Sequence, residues 1–177
     1  MLIANAGVLS GIEPGHRIED ADASQHLIET NVLGVVNTVH PLLPAMTERR
    51  SGHIVILSSV AAFLPLPQMP SYSASKAAIL NYGLALRAGL RGKGVQVSVV
   101  CPGYVTGPMT DQIKGATPFP LSMEEAADRI HRGIGRNQAI IAFPRAFAWF
   151  LRLLGFLPDA IRGRALSIRA FRVVSRD

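Results

Sequence analysis

The sequence predicts an α/β chain organised on a parallel sheet of about four strands. Short apolar runs of strand length recur at LIA (2–4), HIVILS (53–58), VQVSVV (95–100) and QAIIAF (138–143). Their near-continuous apolar character suits parallel strands covered on both faces. Between them lie segments with helical periodicity, and alternation of strand and helix calls for right-handed crossovers. Residues 1–143 form one such body on this reading, and 144–177 an apolar, arginine-rich helical tail.

Each element has a local reason. Residues 1–7, MLIANAG, read as a strand running into a turn at Gly7, and Gly11, Pro14 and Gly15 mark a loop over 8–21. A helix is expected from about Ala23 to Arg49, with Leu27, Ile28, Val32, Val35, Val36 and Val39 as its apolar face and Pro41 and Pro44 kinking its end. Asn31 stands inside it, although asparagine is a poor helix-interior residue. Ser51 and Gly52 turn the chain into the second strand. The loop from Val60 to Pro70 is apolar and proline-rich; it either lines a greasy pocket or packs under the next helix. That helix carries Tyr72 and Lys76 and stops at Arg91-Gly-Lys-Gly94. After the third strand, Cys101 to Val105 and then Pro108 to Pro120 read as loop. Ser122 and Glu125 form a capping box that opens a helix to Gly135.

Composition narrows the function. With 49% hydrophobic and 17% charged residues, 177 residues suffice for a real core. The single cysteine, Cys101, excludes an internal disulfide framework and fits a reducing compartment, so a cytoplasmic protein is expected. Five scattered histidines offer no metal-ligand spacing. No leader-like segment opens the sequence, and no apolar run reaches the ~18–20 residues of a membrane span. Of the formal charge of +6, the tail holds +5, with seven Arg against Asp159 and Asp177. The body is close to neutral and is not expected to bind nucleic acid. Peripheral membrane contact through the tail is expected instead, its rivals being burial against a partner subunit or over the substrate pocket.

The chemistry is concentrated in Ser59, Tyr72 and Lys76. Tyr72 and Lys76, four residues apart on a helix, leave the same face one turn apart. An ammonium beside a phenol favours the phenolate, which is how a tyrosine becomes a general acid/base near neutral pH. Ser59 lies thirteen residues before Tyr72, just after a strand, within reach of the same reacting oxygen. Ser73-Ala-Ser-Lys76 also reads as S-x-x-K, but the S-D-N and K-T-G companions of that nucleophile motif occur nowhere in the chain.

Strand, Ser59, apolar loop and Y-x-x-x-K resemble the short-chain dehydrogenase/reductase family. Three further segments join them: A-N-A-G at Ala4–Gly7, N-V-x-G at Asn31–Gly34, and P-G-x-V at Pro102–Val105. The resemblance covers residues 1 to about 143. It implies a Rossmann-like doubly wound sheet and hydride exchange between NAD or NADP and an alcohol or carbonyl, with the apolar loop and tail favouring a lipophilic substrate. It also implies a homo-oligomer in the complete form. By the same resemblance Tyr72 is the acid/base, Ser59 holds the substrate oxygen, and Lys76 binds the ribose and lowers the Tyr72 pKa. Asn31 completes a proton relay through water, and Asn5, Ala6, Gly7, Pro102, Gly103 and Val105 join Tyr72 and Lys76 in the cofactor site. Two departures stand out. Gly107 occupies the position where the family usually has a threonine, and the glycine-rich phosphate loop T-G-x-x-x-G-x-G is absent. The expectation is therefore an N-terminally truncated member, by gene or by start-codon assignment. An inactive fragment or scaffold of the same descent is the alternative.

Overall fold

The computed structural model describes residues 1–114, 117–158, 160–162 and 172–173. Strand β1 (Leu2–Ala4) leads through a long loop into an almost unbroken helical run: α1 (Ala21–Ile28), a π-helical turn (Glu29–Leu33), α2 (Gly34–Val39), a 3-10 turn (His40–Leu42) and α3 (Leu43–Glu48). Strand β2 (Gly52–Leu57), a 3-10 turn (Val60–Phe63) and the 20-residue helix α4 (Pro70–Gly89) follow. Then come β3 (Val95–Pro102), the short β4 (Ile113–Lys114), α5 (Met123–Gly135), β5 (Ile140–Phe143), α6 (Arg145–Gly155) and β6 (Arg172–Val173).

Four strands form one parallel sheet in the order β1-β2-β3-β5. The expected α/β architecture is what the chain adopts. Ile54, Val55 and Ile56 are fully buried at the centre of the sheet, as their continuous apolar run requires. One face packs Ile54, Ile56 and Val97 against Val35, Val39 and Met46 of the first helical run and Ile79 of α4. The other packs Val55, Val100 and Ile141 against Ala126 of α5. The capping box forms as expected, with Ser122 Oγ accepting from Glu125 N at 3.1 Å and Glu125 Oε2 accepting from Ser122 N at 3.0 Å. The pairing of β4 with β6, antiparallel, carries no signal in the sequence.

Helix α4 lies unusually close to the sheet. A side-chain carbon on Gly83 would stand 2.4 Å from Val99 Cγ2, so only glycine admits this approach. The start of α4 is also held. The Glu19 carboxylate accepts the Ser71 N–H at 3.0 Å and the Ser71 hydroxyl, placing a negative charge at the helix N-terminus. Pro70 at the first helical position needs no partner for its nitrogen. Tyr72 and Lys76 are thus presented from a helix fixed at its start and pressed onto the sheet midway.

Candidate active site

The carboxyl ends of β1, β2 and β3 open into one cavity of about 670 Å³. Such a crevice beyond the strand ends is where open parallel sheets bind ligands. Eight of the ten residues singled out from the sequence line it: Asn5, Gly7, Ser59, Tyr72, Lys76, Pro102, Gly103 and Val105. Ala6 does not. Asn31 stands fully buried behind the wall.

Asn31 sits in the π-helical turn, which resolves its awkward place in a helix. Its Oδ1 accepts from Val8 N at 2.8 Å, while Nδ2 donates to Val8 O at 2.9 Å and to Ser75 Oγ at 3.2 Å. Both amide N–H groups are therefore engaged. What it does is clamp the turn after β1 onto α4. Gly7 lies in that clamp: a carbon added there would sit 3.3 Å from both Asn31 Oδ1 and Lys76 Nζ.

Ser59 follows the second strand by two residues and caps the 3-10 turn, its Oγ accepting from Ala61 N at 3.1 Å. Tyr72 is buried, and burial pushes its phenol above the ordinary tyrosine pKa, with hydrogen bonding to Ser59 pulling the other way. This reverses the direction expected from the sequence. Lys76 Nζ lies over the Tyr72 ring, 5.6 Å from its centre, and desolvation is the larger influence on the phenol. Lys76 is itself buried and donates to Leu57 O at 3.3 Å. Burial brings its pKa down to about 8, the adjacent Cys101 acting in the opposite sense. Cys101, fully buried behind them, is pushed up to about 12 and stays a thiol.

The segment after β3 is held by backbone bonds. Gly103 N donates to Phe143 O at 2.7 Å, Leu121 N to Tyr104 O at 3.0 Å, and Thr106 N to Leu121 O at 2.9 Å. Gly107 has φ 149°, a conformation that favours glycine over the threonine of the family pattern. Met109 and Ile113 of the loop from Pro108 to Pro120 line the cavity. Phe119 instead lies largely exposed, its ring centre 6.2 Å from that of Phe147.

One contribution escaped the sequence reading. Tyr104 lines the cavity, its pKa pushed up to about 12 by burial and then by the neighbouring Tyr72, so it persists as a neutral phenol. Its one sequence signal is its place in P-G-Y-V. Helix α6 occupies the place over the pocket that is one of the alternatives for the tail: its Phe147, Phe150, Leu151 and Leu154 close the cavity wall. Being apolar all round, that helix shows no inward face in its sequence. Among the described residues no cluster of His, Cys, Asp or Glu has metal-binding geometry.

Comparison with known proteins places this arrangement in context. The sequence profile of the family described as short chain dehydrogenase matches residues 1–117. An uncharacterized oxidoreductase of Myxococcus xanthus is 35% identical over 161 residues, covering 91% of this chain and 63% of the relative. Serine 3-dehydrogenase of Rhizobium radiobacter is 34% identical over 134 residues, covering 76% of this chain and 51% of that protein. The chain thus spans between half and two thirds of the length of these relatives. A short chain dehydrogenase from Burkholderia cenocepacia, solved in complex with NADP, superposes with a TM-score of 0.78 at 28% identity, over 94% of this chain and 68% of that one. One from Burkholderia phymatum, in complex with NAD, gives 0.74 at 25% identity, over 86% and 64%.

Proposed function

The chain belongs to the short-chain dehydrogenase family, and from that premise we propose that it carries the catalytic part of an oxidoreductase acting on a lipophilic alcohol or carbonyl with NAD or NADP. The observation that carries this reading is the meeting of Ser59, Tyr72 and Lys76 on the wall of one apolar cavity, with Asn31 locked behind them.

The residues present fit the nicotinamide end of such a cofactor. Lys76 Nζ has one carbonyl partner at 3.3 Å and faces the cavity, so its remaining donors suit ribose hydroxyls. The bare Cα of Gly7 leaves room beside it. Asn5, Gly7, Pro102, Gly103 and Val105 supply the rest of the wall, whereas Ala6 does not reach the cavity. When bound, the cofactor supplies or accepts the hydride. The chain supplies the proton and the position. In carbonyl reduction the Tyr72 hydroxyl, kept protonated by burial, gives its proton to the carbonyl oxygen, and in alcohol oxidation it takes one back. The Ser59 hydroxyl holds the same oxygen. The Lys76 charge stabilises the phenolate formed when Tyr72 has given its proton. Leu66, Met109, Phe147 and Leu154 exclude water and favour an apolar substrate. An inactive scaffold would have no use for a lysine buried at this cost.

The decisive experiment is Tyr72→Phe in a form of the protein that binds cofactor. Turnover is expected to fall at least ~100-fold, the scale of general acid/base catalysis, while thermal stability changes little. Near-normal turnover would remove Tyr72 from the chemistry.

A further inference from the structure

Helix α6 is apolar on both sides, and only one side is used. Inward, Ala148 is buried and Phe147, Leu151 and Leu154 line the cavity. Outward, Trp149, Phe150, Leu153 and Phe156 recur at helical spacing and are 58%, 55%, 62% and 86% exposed. A contiguous stripe of large apolar side chains on a surface marks a binding face. Phe150 belongs to both sets. The stripe therefore meets the cavity lining at Phe150.

Charge selects the partner. Arg145 and Arg152 lie on α6, which carries no acidic residue, and Arg162 follows, while Asp111, Glu124 and Glu125 lie off that helix, in the loop from Pro108 to Pro120 and at the start of α5. The Arg152 guanidinium sits 4.2 Å from the centre of the Phe63 ring and 5.7 Å from that of Trp149, its charge set among the apolar groups. Residues 144–177 hold seven Arg against two Asp. A second copy packed on the stripe by two-fold symmetry would bring arginines toward arginines. An anionic lipid surface takes the apolar stripe and the positive charge together.

We propose that the outer face of α6 docks on an anionic bilayer and lays the cavity mouth against it, so that a lipophilic substrate enters from the lipid. With 11 residues, α6 is roughly 16 Å long. It is too short to cross a hydrocarbon core of ~30 Å and would lie in the interface. Among the described residues no helix is long and apolar enough to span a membrane. Docking rests on the surface residues alone; delivery of substrate rests also on the catalytic reading above.

Trp149, the one tryptophan in the chain, reports on the face directly. The chain is floated on a density gradient with phosphatidylglycerol-containing vesicles or with pure phosphatidylcholine, so that aggregates sink and bound protein rises. Flotation with the anionic vesicles and a blue shift of Trp149 emission are expected. The double variant Leu153→Glu, Phe156→Glu should lower the apparent vesicle affinity roughly tenfold or more. Equal flotation of variant and parent, or equal flotation on both lipids, overturns the proposal. So does self-association that shields Trp149 without vesicles, which would assign the stripe to a second copy. Docking without turnover in a cofactor-competent form would leave this surface standing and sink the catalytic reading instead.

Discussion

Lys76 carries opposed demands. Its ammonium is buried, with one carbonyl partner and an aromatic face for company, and burial lowers its pKa from 10.5 to about 8. At pH 7 about nine tenths of it is still charged. Because the native value is depressed, the unfolded chain binds more protons between about pH 8 and 10.5, and stability rises with pH across that window. Below it the cost of the buried charge is present in full. Lys76→Met keeps an unbranched chain and removes the charge. At pH 7 this variant should be more stable than the parent by up to about 3 kcal/mol, with the advantage shrinking toward pH 10. Urea midpoints at the two pH values measure it. A less stable variant at pH 7 would mean that the Leu57 and Tyr72 contacts outweigh desolvation.

At the scale of elements, α4 is the rod that carries the chemistry, and Gly83 sets its distance from the sheet. An added carbon there meets Val99 Cγ2 at 2.4 Å and Ile56 Cδ1 at 3.3 Å, whereas one on Gly89 of the same helix meets nothing within 4 Å. Gly83→Ala should therefore cost about 1–3 kcal/mol by overpacking and lower activity, because the shift displaces Tyr72 and Lys76 together. Gly89→Ala should be neutral or stabilising by up to about 1 kcal/mol. Denaturant unfolding of the two variants tests the contrast, and equal stabilities would show that α4 relaxes freely. The same scale shows what could be read in advance. The capping box at Ser122 and Glu125 and the four sheet strands are local patterns, and all form. The π-helical turn is not local: Asn31 reaches Val8, 23 residues back, and Ser75, 44 ahead. The sequence marks Asn31 as a misfit without saying what it would bind. Glu19 at the start of α4 escapes for the same reason, since long-range packing chooses its partner.

At the scale of the molecule, the cavity and the sheet edge bear on one expectation. The cavity wall supplies partners for a nicotinamide and its ribose, but T-G-x-x-x-G-x-G, the loop that holds a dinucleotide pyrophosphate against a helix N-terminus, is not among the 177 residues. Lys76 cannot serve both ends of so long a ligand. Strand β1 meanwhile pairs with β2 on one side only among the described residues, and Ile3 on it is exposed. An apolar strand with an unpaired edge templates association. The 177-residue chain by itself should therefore bind NAD(H) and NADP(H) negligibly and should self-associate. Joining an upstream strand and glycine-rich loop to Met1 should restore cofactor binding and a defined assembly together, since one added strand pairs β1 and presents the phosphate site. Calorimetric titration of each cofactor, with sedimentation of the same samples, measures both. A monodisperse chain that binds either cofactor at micromolar affinity would show that the Lys76 end suffices to hold a dinucleotide.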